Sequence, residues 1–80
     1  MSSELLEVIE IAKRGEWDKA HDLLQNHKGD VGSWIHAVLH REEGDESNAA
    51  YWYNRAGKTK ASCSIEEEYD IIAQSIKDGE

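Results

Sequence analysis

A chain of 80 residues with 39% apolar and 32% charged side chains fits one soluble domain, burying about 60–65% of its extended surface around a single compact core. Its net charge of -8 argues against nucleic acid and anionic membrane as partners, because phosphate binding draws its affinity from clustered Lys and Arg. Cys63 is alone, so no intrachain disulfide forms, and no apolar run approaches a transmembrane span.

The opening MSSELLEVIE is acidic and lacks the basic start and long apolar core of a signal peptide. With the lone cysteine, this predicts a reducing, cytoplasmic setting. Ser2 or Ser3 is placed to cap a first helix whose buried stripe is Leu5, Val8, Ile9 and Ala12. Gly15 ends it. A second helix starts near Glu16, with Trp17, Ala20, Leu23 and Leu24 facing inward. It stops between Asn26 and Gly29, where Gly29 and Gly32 are expected to loosen the chain.

The third helix is predicted from Val31 or Ser33 to Glu43, with Ile35, Val38 and Leu39 as apolar contacts and Gly44 as a left-handed cap. Asp45 caps a fourth helix that runs to Ala56 and ends at Gly57. Residues 57–63 form a polar connector. Ser64 and Glu67 make an S-x-x-E capping box at the head of a fifth helix. Ile65, Tyr69, Ile72 and Ile76 then form the cleanest amphipathic stripe in the chain, opposite a face that is mostly acidic or polar. That helix is expected to lie as a lid over one end of the bundle.

The segments GEWDKAHDLLQNH (15–27) and GDESNAAYWYNRA (44–56) align without gaps at a period of 29 residues. Gly15 pairs with Gly44, Glu16 with Asp45, Ala20 with Ala49 and Leu24 with Tyr53. On these residues the chain resembles tetratricopeptide and Sel1-like helical repeats. Gly44, Ala49, Tyr53 and Ala56 match the tetratricopeptide pattern, Gly15, Ala20 and Leu24 match it more loosely, and His27 departs from it. Ala49, Trp52, Tyr53 and Ala56 match a Sel1-like ending. The period is shorter than either family's usual unit. The stretch WIHAVLHREEGD with NAAYWYNRAG is also similar to a segment of small bacterial proteins, a likeness that bears on fold and not on function. The resemblance implies an all-α single domain over residues 1–80. It would hold two tetratricopeptide-like hairpins, about 3–28 and 31–57, closed by an amphipathic helix over about 64–78. It also implies a protein-binding role. Trp34 would face the inner curve of such an array, and homodimerisation is one way to enlarge so short a groove.

Tyr51, Trp52 and Tyr53 are consecutive, and each helical step turns a side chain by about 100°, so all three cannot share one buried stripe. With Ala49 and Tyr53 facing the hairpin partner, Tyr51 is pushed outward. The expected partner surface is Trp34, Tyr51, Trp52 and Arg55, with acidic surroundings favouring basic partners. The alternative is a metal-binding or minor enzymatic role. His36, His40 and Glu43 fall at i, i+4 and i+7 on one helix face, where two imidazoles and a carboxylate can share an ion. His21 on the second helix can approach the third and gather more imidazoles, but nothing in the spacing demands it, and His21 and His27 are expected at the surface or its boundary. No H-E-x-x-H signature is present, Gly57-Lys58-Thr59 lacks the first glycine of a phosphate loop, and Asp45 and Ser47 do not complete a calcium loop. Cys63 has no activating base in sequence. An interaction module without catalysis or cofactor is therefore the leading expectation.

Overall fold

Two turns of the same kind set the architecture. Gly15 and Gly44 hold left-handed φ values of +85° and +82°. In both, the next residue closes the preceding helix from outside: Glu16 donates its N–H to the Ile11 carbonyl at 3.2 Å, and Asp45 donates to that of His40 at 2.9 Å. This six-to-one bond is the Schellman ending of a helix, and it requires a residue that reaches positive φ without a Cβ penalty. The aligned glycines thus turn the chain identically, 29 residues apart.

The computed structural model describes residues 2–27 and 29–79, which form α1 (Ser2–Lys13), α2 (Trp17–Leu24), α3 (Asp30–Glu42), α4 (Glu46–Ala56) and α5 (Ile65–Gly79). The fold is all-α, with no strand among the described residues. No described helix is long and apolar enough to cross a membrane. The cap expected of Ser2 or Ser3 rests on side chains outside those described. Asp45 caps α4, accepting from the Asn48 N–H at 3.4 Å. Ser64 and Glu67 exchange two bonds of 3.1 Å at the head of α5, the capping box in full.

α3 is the hub. It packs against all four other helices, and from Ile35 to His40 every residue is buried. The main core joins Val8, Ile9, Ile11 and Ala12 of α1, Ala20 and Leu24 of α2, Ile35, Val38 and Leu39 of α3, and Tyr69, Ile72 and Ile76 of α5. Each large side chain buried there contributes about 1.5–3 kcal/mol. A smaller cluster of Ala37, Ala49 and Tyr53, flanked by Trp34 and Trp52, holds α4 onto α3. The two alanines permit that close approach.

α5 does not sit as a lid over one end. It packs along α1 and α3, the first helix of each hairpin, and the Lys13–Asp70 ion pair ties it to α1. Its stripe of Tyr69, Ile72 and Ile76 packs into the core that α1 and α3 share, and Glu68, although an acid, is 1% exposed beside that stripe. Gly32 also departs from expectation: it lies within α3, and a Cβ there would meet the His27 carbonyl oxygen at 2.3 Å. Its lack of a side chain admits the incoming backbone, so it fastens the α2–α3 connection instead of loosening it.

Candidate functional site

Three groups of polar and aromatic side chains are candidates for function. The first surrounds Glu68. Trp34 Nε1 donates to its Oε2 at 3.1 Å, Arg41 Nη1 donates to its Oε1 at 2.7 Å, and the Tyr53 hydroxyl lies 2.8 Å from both oxygens. Arg41 also donates to the Cys63 carbonyl. Burial alone would lower the Arg41 pKa, but the hydrogen bond and charge of Glu68 hold it above the ordinary value. Burial, then the Glu68 hydrogen bond, pushes the Tyr53 phenol up. With the carboxylate engaged by the chain's own donors and sealed from solvent, the group is a joint between α3, α4 and α5. Buried and engaged on both oxygens, the carboxylate is closed to a substrate.

The second group lies on the opposite side of α3. His36 and His40, one turn apart, meet His21 from α2, with ring centroids 4.8 Å (21–36), 5.5 Å (21–40) and 5.9 Å (36–40) apart. One ligand atom from each ring can be chosen so that all lie within 4.8 Å of one another. Tryptophans wall them in: Trp17 stacks on His21 at 4.8 Å and Trp52 stacks on His36 at 4.0 Å. Trp17 is itself fixed by a 2.7 Å bond from Nε1 to the Leu39 carbonyl. His40 Nδ1 is 2.7 Å from Glu43 Oε1. His36 Nδ1 is buried with no hydrogen-bond partner among the described residues. Burial first, then the neighbouring His21 and His40, pushes the His36 pKa down to about 4. Near neutral pH that ring is uncharged and keeps a nitrogen lone pair.

The third group is the outer side of α4. Tyr51 is 53% exposed, and the Arg55 guanidinium lies 6.0 Å from its ring and 5.3 Å from that of Trp52. Beside them a groove of about 630 Å³ runs between α4 and residues 58–60. Ala49, Ala50, Tyr51 and Tyr53 supply its apolar lining, and Arg41, Lys58 and Lys60 its cations.

Of the residues expected to form a partner surface, Tyr51 and Arg55 are exposed and adjacent, while Trp52 is half-buried against His36. Trp34 is half-buried, bonded to Glu68 and topped by the Lys58 ammonium at 4.5 Å. The face that would be the inner curve of a repeat array is filled by α5. Among the expected metal residues, His36 and His40 share the ring cluster, and Glu43 touches His40 on Nδ1. His27 lies outside the ring cluster but lines the cavity beside His21 and His36, and its Nε2 is 2.6 Å from the Glu4 carboxylate.

Sequence reasoning missed Glu68, and it allowed His21 an approach to α3 without requiring it. Glu68 did carry a signal, since it is three residues after Ile65 and four before Ile72, on the apolar stripe by helical spacing. His21 occupies the residue after the buried Ala20, which leaves its direction open until α2 is docked. Compared with known proteins, the chain matches no family model, no curated protein and no solved structure. Fold and sites together define a five-helix, all-α domain with an internally saturated acid, an imidazole cluster and an open groove.

Proposed function

We propose that the protein is a small helical interaction module. In this reading it presents the outer side of α4, with Tyr51 as anchor, to a partner segment bearing carboxylates. The observation that carries it is the groove of about 630 Å³ beside α4, with an exposed aromatic on its rim. Aromatic anchors at concave, partly desolvated surfaces supply much of the energy of protein recognition. Arg41 is paired with Glu68 and Lys60 with Glu46, which leaves Lys58 as the groove cation without a carboxylate partner among the described residues, on a chain of net charge -8. That ammonium favours a carboxylate-bearing segment at its end of the groove.

Packing supports the same choice of surface. The α4 backbone packs on α3 and on no other helix among the described residues, so its far side is not covered by another helix. The α1/α3 face is already covered by α5. Selection from a displayed peptide library tests the reading. Selected peptides are expected to pair an apolar anchor with Asp or Glu, and to lose about 10-fold or more in affinity toward Tyr51→Ala and Lys58→Glu variants of unchanged helicity. Peptides with no common feature, or equal binding to both variants, would overturn it. Light scattering of the free protein separates a self-associating groove, which would give a stable dimer, from one that awaits another chain.

A further inference from the structure

The geometry points to a metal site at His21, His36 and His40, taking a divalent ion of the zinc class and independent of the α4 groove. Three imidazoles are a sufficient protein ligand set for Zn²⁺, with nitrogen at about 2.0–2.1 Å from the ion and a fourth position left open. The ring nitrogens already lie within 4.8 Å of one another, and two of the rings share one face of a single helix at i, i+4.

Three independent features separate this cluster from three histidines that merely pack together. Buried ring nitrogens are ordinarily hydrogen-bonded, and an unpaired one calls for an explanation such as a bound ion. Here the rings make no hydrogen bond to one another among the described residues, and His36, 6% exposed, buries an Nδ1 with no partner. Next, Glu43 stands 2.7 Å from His40 Nδ1. A carboxylate accepting from Nδ1–H fixes the tautomer and leaves Nε2 as the lone-pair nitrogen, the outer-shell arrangement of metal-bound histidine. Glu43 is thus a positioning residue. Finally, a cavity of about 280 Å³ reaches His21 and His36 from the surface beside Gln25 and Arg55. It offers the ion an entry path and room for a fourth ligand, and the Arg55 guanidinium suits a small anion there. Trp17 and Trp52, stacked on two of the rings, restrict their rotation and keep the walls apolar.

The test uses the whole chain, untagged and stripped with chelator, titrated with Zn²⁺ by calorimetry and with Co²⁺ by visible absorption. One equivalent is expected at micromolar affinity or tighter, and Co²⁺ should develop the intense bands of a four-coordinate site. His21→Asn and His40→Asn should each weaken binding by at least about 10-fold, and Glu43→Gln by about 10-fold with the Co²⁺ spectrum retained. Absence of saturable Zn²⁺ binding by the wild type, or His21→Asn binding as tightly as the wild type, would overturn the site. Should a histidine variant lose helicity, X-ray absorption of the Zn²⁺-loaded wild type decides. Three imidazole nitrogens support the assignment, and an oxygen-only shell sinks it.

Discussion

The Tyr53 hydroxyl of α4 lies 2.8 Å from both carboxylate oxygens of Glu68 on α5, joining two helices whose backbones do not pack together. Trp34 and Arg41 of α3 meet the same acid, so three helices are held at one buried point. Breaking a buried, hydrogen-bonded pair from one side leaves the other partners stranded, at about 3–5 kcal/mol. Glu68→Ala is expected to lower stability by that order, a large share of the roughly 5–15 kcal/mol typical of a domain. Glu68→Gln, which keeps one acceptor but loses the charge, should cost less, about 1–3 kcal/mol. Urea unfolding followed by circular dichroism checks both. A Glu68→Ala protein as stable as the wild type would contradict the joint.

Tyr51 and Tyr53, two residues apart on α4, should respond oppositely to truncation. Tyr53→Phe removes only a hydroxyl, yet it deprives Glu68 of a buried donor and is expected to cost about 1–3 kcal/mol. Tyr51→Ala removes a whole ring from a site that is 53% exposed and should stay within about 0.5 kcal/mol of the wild type. Its effect belongs to peptide affinity. Comparing unfolding midpoints of the two variants on one denaturant series reads this directly.

Gly32 and Gly44 predict different failures on mutation to alanine. At Gly32 the new Cβ would stand 2.3 Å from the His27 carbonyl oxygen, a backbone atom that moves only with the α2–α3 connection. Overpacking of this kind costs about 1–3 kcal/mol or more. At Gly44 nothing lies within 4 Å, but φ is +82°, so the cost is conformational, about 1 kcal/mol. Gly44→Asn should recover much of it, since Asn tolerates the left-handed region, whereas Gly32→Ser should be no better than Gly32→Ala. Thermal melts of the four variants give the comparison.

Alkaline pH should destabilise the fold through Tyr53 and Tyr69. Burial raises both phenol pKa values, aided at Tyr53 by Glu68 and at Tyr69 by Glu42, whose carboxylate accepts the Tyr69 hydroxyl at 3.1 Å. An unfolded chain releases these protons near pH 10 while the folded chain keeps them. The contribution is therefore complete below about pH 10 and is lost as pH rises toward the raised folded values. Absorbance of phenolate should show the Tyr53 and Tyr69 steps arriving late or together with unfolding, each assigned by its Phe variant. Both steps completed near pH 10 in a protein that retains its helicity would contradict the burial.

Local signals in the chain were strong where backbone chemistry acts over a few residues. The Gly15 and Gly44 turns, the Asp45 cap and the Ser64–Glu67 box each depend on near neighbours, so five helices could be read with ends close to those observed. The consecutive aromatics 51–53 likewise forced Tyr51 outward by helical rotation alone. What the sequence could not determine was which faces meet. Glu68 lies on an apolar stripe, but whether an acid there is solvated or buried depends on donors 15, 27 and 34 residues away. His21 becomes a neighbour of His36 and His40 only when α2 docks on α3, and α5 covers the α1/α3 face through a core that Tyr69, Ile72 and Ile76 share with both helices. Periodicity and capping are properties of contiguous residues and were determined by the sequence itself. The buried acid, the ring cluster and the open groove were decided by tertiary packing, which alone brings distant residues within hydrogen-bonding and contact distance.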